Sequence, residues 1–389
     1  MAQSSELTST TVSRPEPSVS YRWLVLFFIS LTMFGNYYLY DSIAPVADLL
    51  KSQLGYTDQN IGRLYSMYSY SAFLLLLLGG IIIDKIGTKK AVTLFGGLCT
   101  IAGIVTALSA DVHVMYVGRF ILGFGAESLI AAVTTALAKW FKGKEIGLAF
   151  GINLTIARLG SWGTDYSPTV FKSAYSNWHD PLWISAVIGG FCIFGGIVYW
   201  LLEAAAERKY VIGQAGSTDK LVLKDLLTFD KSFLFITGLC LTFYAAVFPF
   251  RSFAIKFFQE GYGMTRPEAG RLNAFLPQAA MIATPLFGLL IDKVGKRALF
   301  MAIGSLIIVP AYLLMLPSLH ITPYVSMTLI DIAFSLIPAV MWPSVAYLVD
   351  EKKLGTAYAL MGLIQQAGVA VIDESIGFSN DHLGASAAN

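Results

Sequence analysis

Long apolar runs alternate with short polar breaks along almost the whole chain. A helix crossing a bilayer needs about 20 apolar residues, and eleven stretches reach that scale. They lie near 21–48, 60–84, 88–109, 112–141, 146–171, 181–203, 232–258, 267–291, 297–317, 323–349 and 354–377. Each is predicted to be an α-helix, because a lone span in lipid must satisfy its backbone hydrogen bonds internally. Two starts are marked by N-cap clusters, Thr57-Asp-Gln-Asn60 before the second run and Thr265-Arg-Pro-Glu268 before the eighth.

The polar breaks differ in charge. Lys and Arg crowd alternate connections: Arg14 and Arg22, Lys85/Lys89/Lys90, Lys139/Lys142/Lys144, Arg208/Lys209/Lys220/Lys224, Lys293/Lys296/Arg297 and Lys352/Lys353. Basic loops face the cytosol, which places the N-terminus there too. Arg251, Lys256, Arg266 and Arg271 break this rule, lying near the other face. Residues 1–20, rich in Ser, Thr and Pro, read as a disordered tail with no cleavable signal.

Composition sharpens the class. Of 389 residues 56% are hydrophobic and only 13% charged, about half the share of charge in a soluble domain. This is a multi-span, all-α membrane protein embedded in a lipid bilayer. A net charge of +2 without a basic aromatic face gives no reason to expect nucleic-acid binding. Cys99, Cys192 and Cys240 lie within apolar runs and read as packing residues, and no cofactor or metal is expected. No nucleophile–base spacing, metal cluster or phosphate loop suggests an enzyme.

The chain also repeats itself. Gly80-Ile-Ile-Ile-Asp84-Lys-Ile-Gly87-Thr-Lys89 recurs as Gly288-Leu-Leu-Ile-Asp292-Lys-Val-Gly295-Lys-Arg297, and 292 − 84 = 208. Lys144-Glu-Ile-Gly147-Leu-Ala149-Phe recurs as Lys352-Lys-Leu-Gly355-Thr-Ala357-Tyr at the same offset. A shared offset on one membrane side indicates a duplicated six-helix unit, with halves that rock about a site near the midplane. The expected division is 21–203 for the first bundle, 204–231 for a linker and 232–377 for a second bundle of about five helices. Residues 378–389 read as a divergent tail, and the eleventh helix as cut short with no twelfth.

The twice-present loop resembles the signature of the major facilitator superfamily, and Arg119-x-x-x-Gly123-x-Gly125-Ala126 resembles that family's fourth-helix motif. The Gly-Pro pattern of its drug/proton antiporters is absent from the fifth helix. A closer similarity, to the family's lysosomal dipeptide carriers, rests on Tyr37-Tyr-Leu-Tyr-Asp41, Gly118 to Ser128, Trp140 to Glu145, Ala157-Arg-Leu-Gly-Ser161, Ala246 to Phe250, Met341-Trp-Pro343 and Leu354 to Tyr358. That resemblance implies alternating-access transport of dipeptides, lysosomal residence and a glycosylated accessory subunit. The N-terminal tail has no dileucine sorting signal and the chain no accessible Asn-x-Ser/Thr to support lysosomal residence, and no residue pattern speaks for the subunit.

Glu127 and Arg158 are single charges in the middle of the fourth and fifth runs, and ionisable groups at membrane depth face a cavity or one another. Two readings are open. They form a mutual salt bridge, or they part to hold a zwitterion, with its carboxylate on the planar fork of Arg158 and its ammonium on Glu127. The resemblance implies the second. Tyr65 and Tyr68, three apart and on one helix face, are expected to line the cavity with Tyr37 and Asp41, with Trp342 as a wall against a substrate side chain. Gly80, Asp84, Gly87, Lys89, Asp292, Gly295 and Arg297 form the conformational motif, and Arg119 an inter-helix brace. Asp331 departs from the family pattern. A proton-coupled organic-anion or amino-acid symporter and a non-transporting scaffold or receptor are the alternatives.

Overall fold

A computed structural model describes residues 15–141, 144–213, 229–350 and 353–382. Every regular element among them is helical. The long helices are α1 (Val19–Asp41), α3 (Asp58–Ile86), α4 (Thr88–Leu108), α5 (Val112–Phe141), α6 (Ile146–Val170), α7 (His179–Lys209), α8 (Lys231–Tyr262), α9 (Arg266–Val294), α10 (Arg297–Leu313), α11 (Pro323–Leu348) and α12 (Leu354–His382), with a short α2 (Ala47–Leu54) after α1. Among the described residues nine spans are long and apolar enough to cross a membrane. Neither α6, which carries Asn153, Arg158 and Asp165, nor the 17-residue α10 is one of them.

Both N-cap clusters act as expected. The Thr57 hydroxyl accepts from the Asn60 N–H, and Glu268 accepts from the Thr265 N–H and hydroxyl. The first run does not reach 48 as one helix. It ends at Asp41, and Pro45 opens a 3-10 turn, Ala44–Val46, that redirects the chain into α2. Proline lacks the N–H an uninterrupted helix would need there.

The first bundle, α1 and α3–α7, and the second, α8–α12, each enclose an apolar core. A third cluster, from Ile43 through Leu50, Tyr65 and Tyr175 to Phe253 of α8, joins them at the end bearing α2. The halves meet along two seams, α3 on α12 and α6 on α9. Contact at the first seam is backbone-close. A Cβ on Gly62 would lie 2.3 Å from the Asp373 carbonyl oxygen, and one on Gly377 would lie 2.5 Å from that of Asp58. Backbone cannot swing aside as a side chain can. Gly62→Val is therefore expected to lower the thermal unfolding midpoint of the purified protein, with overpacking costing about 1–3 kcal/mol. Gly238→Val, which meets open space, serves as the control.

That seam also corrects the C-terminal expectation. The eleventh long helix, α12, runs on to His382, so 378–382 of the expected tail belong to it. Its polar residues have partners on α3. Asp381 accepts from the backbone N–H of Asp58 and Gln59 at 2.9 and 2.7 Å, placing an anion at the α3 N-terminus. Glu374 accepts from Arg63 Nε and the Tyr70 hydroxyl, each at 3.0 Å. Polarity here marks an inter-helix contact and not the end of a helix. The expected tails 1–14 and 383–389, most of the linker (214–228), and Lys142 and Lys352 lie outside the described residues.

Candidate functional site

Arg119, fully buried, fixes the first bundle around the site. Its guanidinium donates to the carbonyls of Leu64, Leu39 and Tyr40 at 3.2, 3.0 and 3.0 Å, linking α5 to α3 and α1. Two turns further along α5, Glu127 opens onto a cavity of about 330 Å³ between the bundles, at the small end of the ligand-pocket range of roughly 300–1,000 Å³. Tyr37, Tyr68, Arg158, Tyr244, Trp342 and Gln366 also line it.

Glu127 and Arg158 share this cavity without pairing. The Glu127 Oε1 atom accepts from the Tyr68 hydroxyl at 2.8 Å and from Gln366 Nε2 at 2.9 Å. The Arg158 guanidinium lies over the Phe334 ring, 4.9 Å from its centroid, a favourable cation–π placement. Among the described residues no carboxylate comes within ion-pair distance of it. Each charge is thus held by neutral groups and keeps capacity for a ligand of opposite charge. The Trp342 indole N–H donates to the Tyr244 hydroxyl at 2.9 Å, which fixes the ring, and the Tyr358 ring lies 6.1 Å away.

Two expected site residues are not brought to the cavity. Tyr65, despite sharing a face with Tyr68, is one turn deeper, where its ring covers the Arg119 guanidinium at 5.2 Å. Asp41 pairs instead with Arg251 of α8 at 3.3 Å. In the conformational motif, Gly87 and Gly295 take positive φ, 79° and 74°, where they end α3 and α9. Side chains with a Cβ are strained there. Arg297 pairs with Asp292 at 2.7 Å, whereas its counterpart Lys89 pairs with Glu207 of α7. Gly80 and Asp84 occupy the last turns of α3.

Sequence reasoning missed a network between the halves. Arg251 donates to Asp165 of α6 at 2.7 Å, and Asn273 of α9 donates to the same carboxylate at 2.8 Å. Lys256 reaches Asp58 at 2.6 Å, and Arg266 reaches Asp48 at 3.2 Å. Three of the four bases that broke the loop-charge rule are therefore neutralised across the interface. The signal was available as acids of the first half, Asp41, Asp48, Asp58 and Asp165, left over to match bases of the second. A larger cavity, about 440 Å³ between α8, α10 and α12, is lined mostly by apolar groups, with Lys256, Glu260 and Asn380 among them. Its base Lys256 is already paired with Asp58, so convergent polar chemistry favours the smaller cavity.

Two duplicated bundles around a polar central cavity define a multi-pass membrane transporter. This chain belongs to the Major Facilitator Superfamily, whose sequence profile matches residues 26–372. Among its relatives is the lysosomal dipeptide transporter MFSD1 of Bos taurus, 32% identical over 384 residues, covering 95% of this chain and 82% of the relative. The Homo sapiens protein of the same name is 31% identical with the same coverage. The fold is also that of a bacterial homologue of the human lysosomal transporter Spinster, solved inward-facing and occupied, with TM-score 0.76, 17% identity and coverage of 95% and 84%. The nucleoside transporter NupG aligns at TM-score 0.68 and 14% identity over 90% of each chain. The resemblance drawn from the repeated loop thus stands.

Proposed function

We propose that this transporter moves dipeptides by alternating access, uniport-like. The ligand ammonium is held at Glu127, its carboxylate at Arg158, and a side chain against Trp342. One observation carries the reading: the two charges line the same cavity yet are held by neutral groups and not by each other. A zwitterion satisfies both, leaving no charge buried and unpaired. An extended dipeptide spans roughly 7 Å at about 3.5 Å per residue, which suits charges held apart. The dipeptide-transporter name of relatives about a third identical points the same way. The same relatives support a lysosomal membrane, and the basic loops a cytosolic N-terminus. The glycosylated accessory subunit is proposed on the family resemblance.

Ligand that binds the folded state alone raises stability in proportion to ln(1 + [L]/Kd), about 2.7 kcal/mol at 100 times Kd. A thermal-shift screen of the purified protein is therefore expected to show stabilisation by dipeptides and little by free amino acids or organic acids. A flat response to all dipeptides contradicts the proposal. The second reading, a proton-coupled symporter, draws on Asp331, a buried carboxyl whose Oδ1 has no partner among the described residues. It requires stabilisation by amino or organic acids in the same screen.

A further inference from the structure

The duplication gives Gln366 a role the charge pair alone does not reveal. Adding 208 to 158 gives 366, so Gln366 of α12 is the counterpart of Arg158 of α6; likewise 127 + 208 = 335 makes Ser335 of α11 the counterpart of Glu127 of α5. Each member of the α6/α12 pair reaches into the opposite bundle. Gln366 donates to Glu127, and Arg158 lies over Phe334, the residue beside Ser335. The cavity is therefore built from two crossed contacts related by the internal repeat, with one end of the ligand site at each crossing.

At the Glu127 end the hydrogen-bond count is informative. Oε1 takes two donors, Tyr68 from α3 and Gln366 from α12, while Oε2 takes none among the described residues. A carboxylate only accepts, so the Gln366 amide must present its NH₂ to it, and its own carbonyl oxygen faces elsewhere. That oxygen has no partner among the described residues either, and Gln366 lines the cavity. Two acceptors from two different bundles, Glu127 Oε2 and Gln366 Oε1, are thus without a partner among the described residues, on side chains that are bonded to each other and line one cavity. A primary ammonium carries three donors and can satisfy both.

We propose that Gln366 is a specificity-determining residue: with Glu127 it forms a two-bundle socket for a primary ammonium, orienting the carboxylate through its NH₂ and binding the ligand through its oxygen. This rests on the dipeptide reading above and adds that both halves together grip the amino end. Neither bundle alone makes the socket, so ammonium binding ties the halves together at their midpoint. The other titratable groups lining the cavity are Tyr37, Tyr40, Tyr68, Tyr244 and Arg158. None ordinarily changes charge between about pH 5 and about pH 7.5.

The test measures leucyl-alanine binding and uptake by the full chain, comparing wild type with Gln366→Ala and Gln366→Glu. Gln366→Ala is expected to weaken binding about 10-fold, the worth of a hydrogen bond to a charged group. Gln366→Glu places two carboxyls against each other, which raises one of their pKa values. Its uptake relative to wild type is expected to be depressed about 10-fold or more near pH 7.5. It should recover toward pH 5, when the new carboxyl is protonated and donates to Glu127 as the amide did. A helix-packing role would lower both pH points alike. Wild-type binding with both variants unaffected, or a flat ratio across pH, overturns the assignment of Gln366 alone. Absence of wild-type dipeptide binding overturns the dipeptide reading and this inference with it.

Discussion

Glu127→Gln and Arg158→Lys are each expected to abolish dipeptide uptake while leaving the protein folded and stable in detergent. Both substitutions keep the approximate size of the side chain, so the cavity survives while its charge and hydrogen-bonding pattern change. Glutamine replaces a charge-assisted bond to the ligand ammonium by a neutral one. Lysine keeps the charge but cannot offer the planar fork that meets a carboxylate with two parallel bonds. Leaving a ligand charge buried and poorly paired costs about 2–5 kcal/mol, which corresponds to a loss on the order of 100-fold in binding. Neither residue pairs with the other, so neither substitution orphans a protein charge. Uptake in proteoliposomes, with unfolding midpoints alongside, checks this. Wild-type transport by either variant contradicts the assignment.

Arg251→Ala is expected to act through stability and not through the cavity. Its guanidinium bonds Asp165 at 2.7 Å and lies 3.3 Å from Asp41, and all three side chains are buried at the interface of the halves. Removing the single cation strands two carboxylates, and breaking a buried pair costs about 3–5 kcal/mol. The unfolding midpoint should fall clearly below that of wild type. Replacing the whole cluster, with Asp41→Asn, Asp165→Asn and Arg251→Met together, should restore much of the loss, because well-packed neutral groups dispense with the desolvation cost. A wild-type midpoint for Arg251→Ala contradicts this role.

The bundle was legible because its spans are periods of apolarity long enough to read one residue at a time. Thr57 and Thr265 marked helix starts, and the loops around Asp84 and Asp292 disclosed the duplication. Glu127 and Arg158 were legible as isolated charges, and the structure brings them to one cavity. Contacts between distant segments were not legible. Tyr65 and Tyr68 share a helix face and both rings lie against Arg119, yet only the Tyr68 hydroxyl reaches Glu127. Asp41 looked like a site residue because its partner, Arg251, lies 210 positions later. The polar stretch after Asp373 resembled an unravelling tail because nothing local announces that α3 supplies its partners. Gln366 was legible only as the uncharged repeat counterpart of Arg158, and its bond to Glu127 of the other half was not.

The most direct test asks whether both ends of the ligand must be charged. Competition against leucyl-alanine uptake should be measured with the free dipeptide, its N-acetyl form and its C-terminal amide. The free dipeptide is expected to compete, and each blocked form to lose on the order of 100-fold, because Glu127 or Arg158 is then left facing a neutral group. Equal competition by either blocked form would contradict a zwitterion held between these two residues.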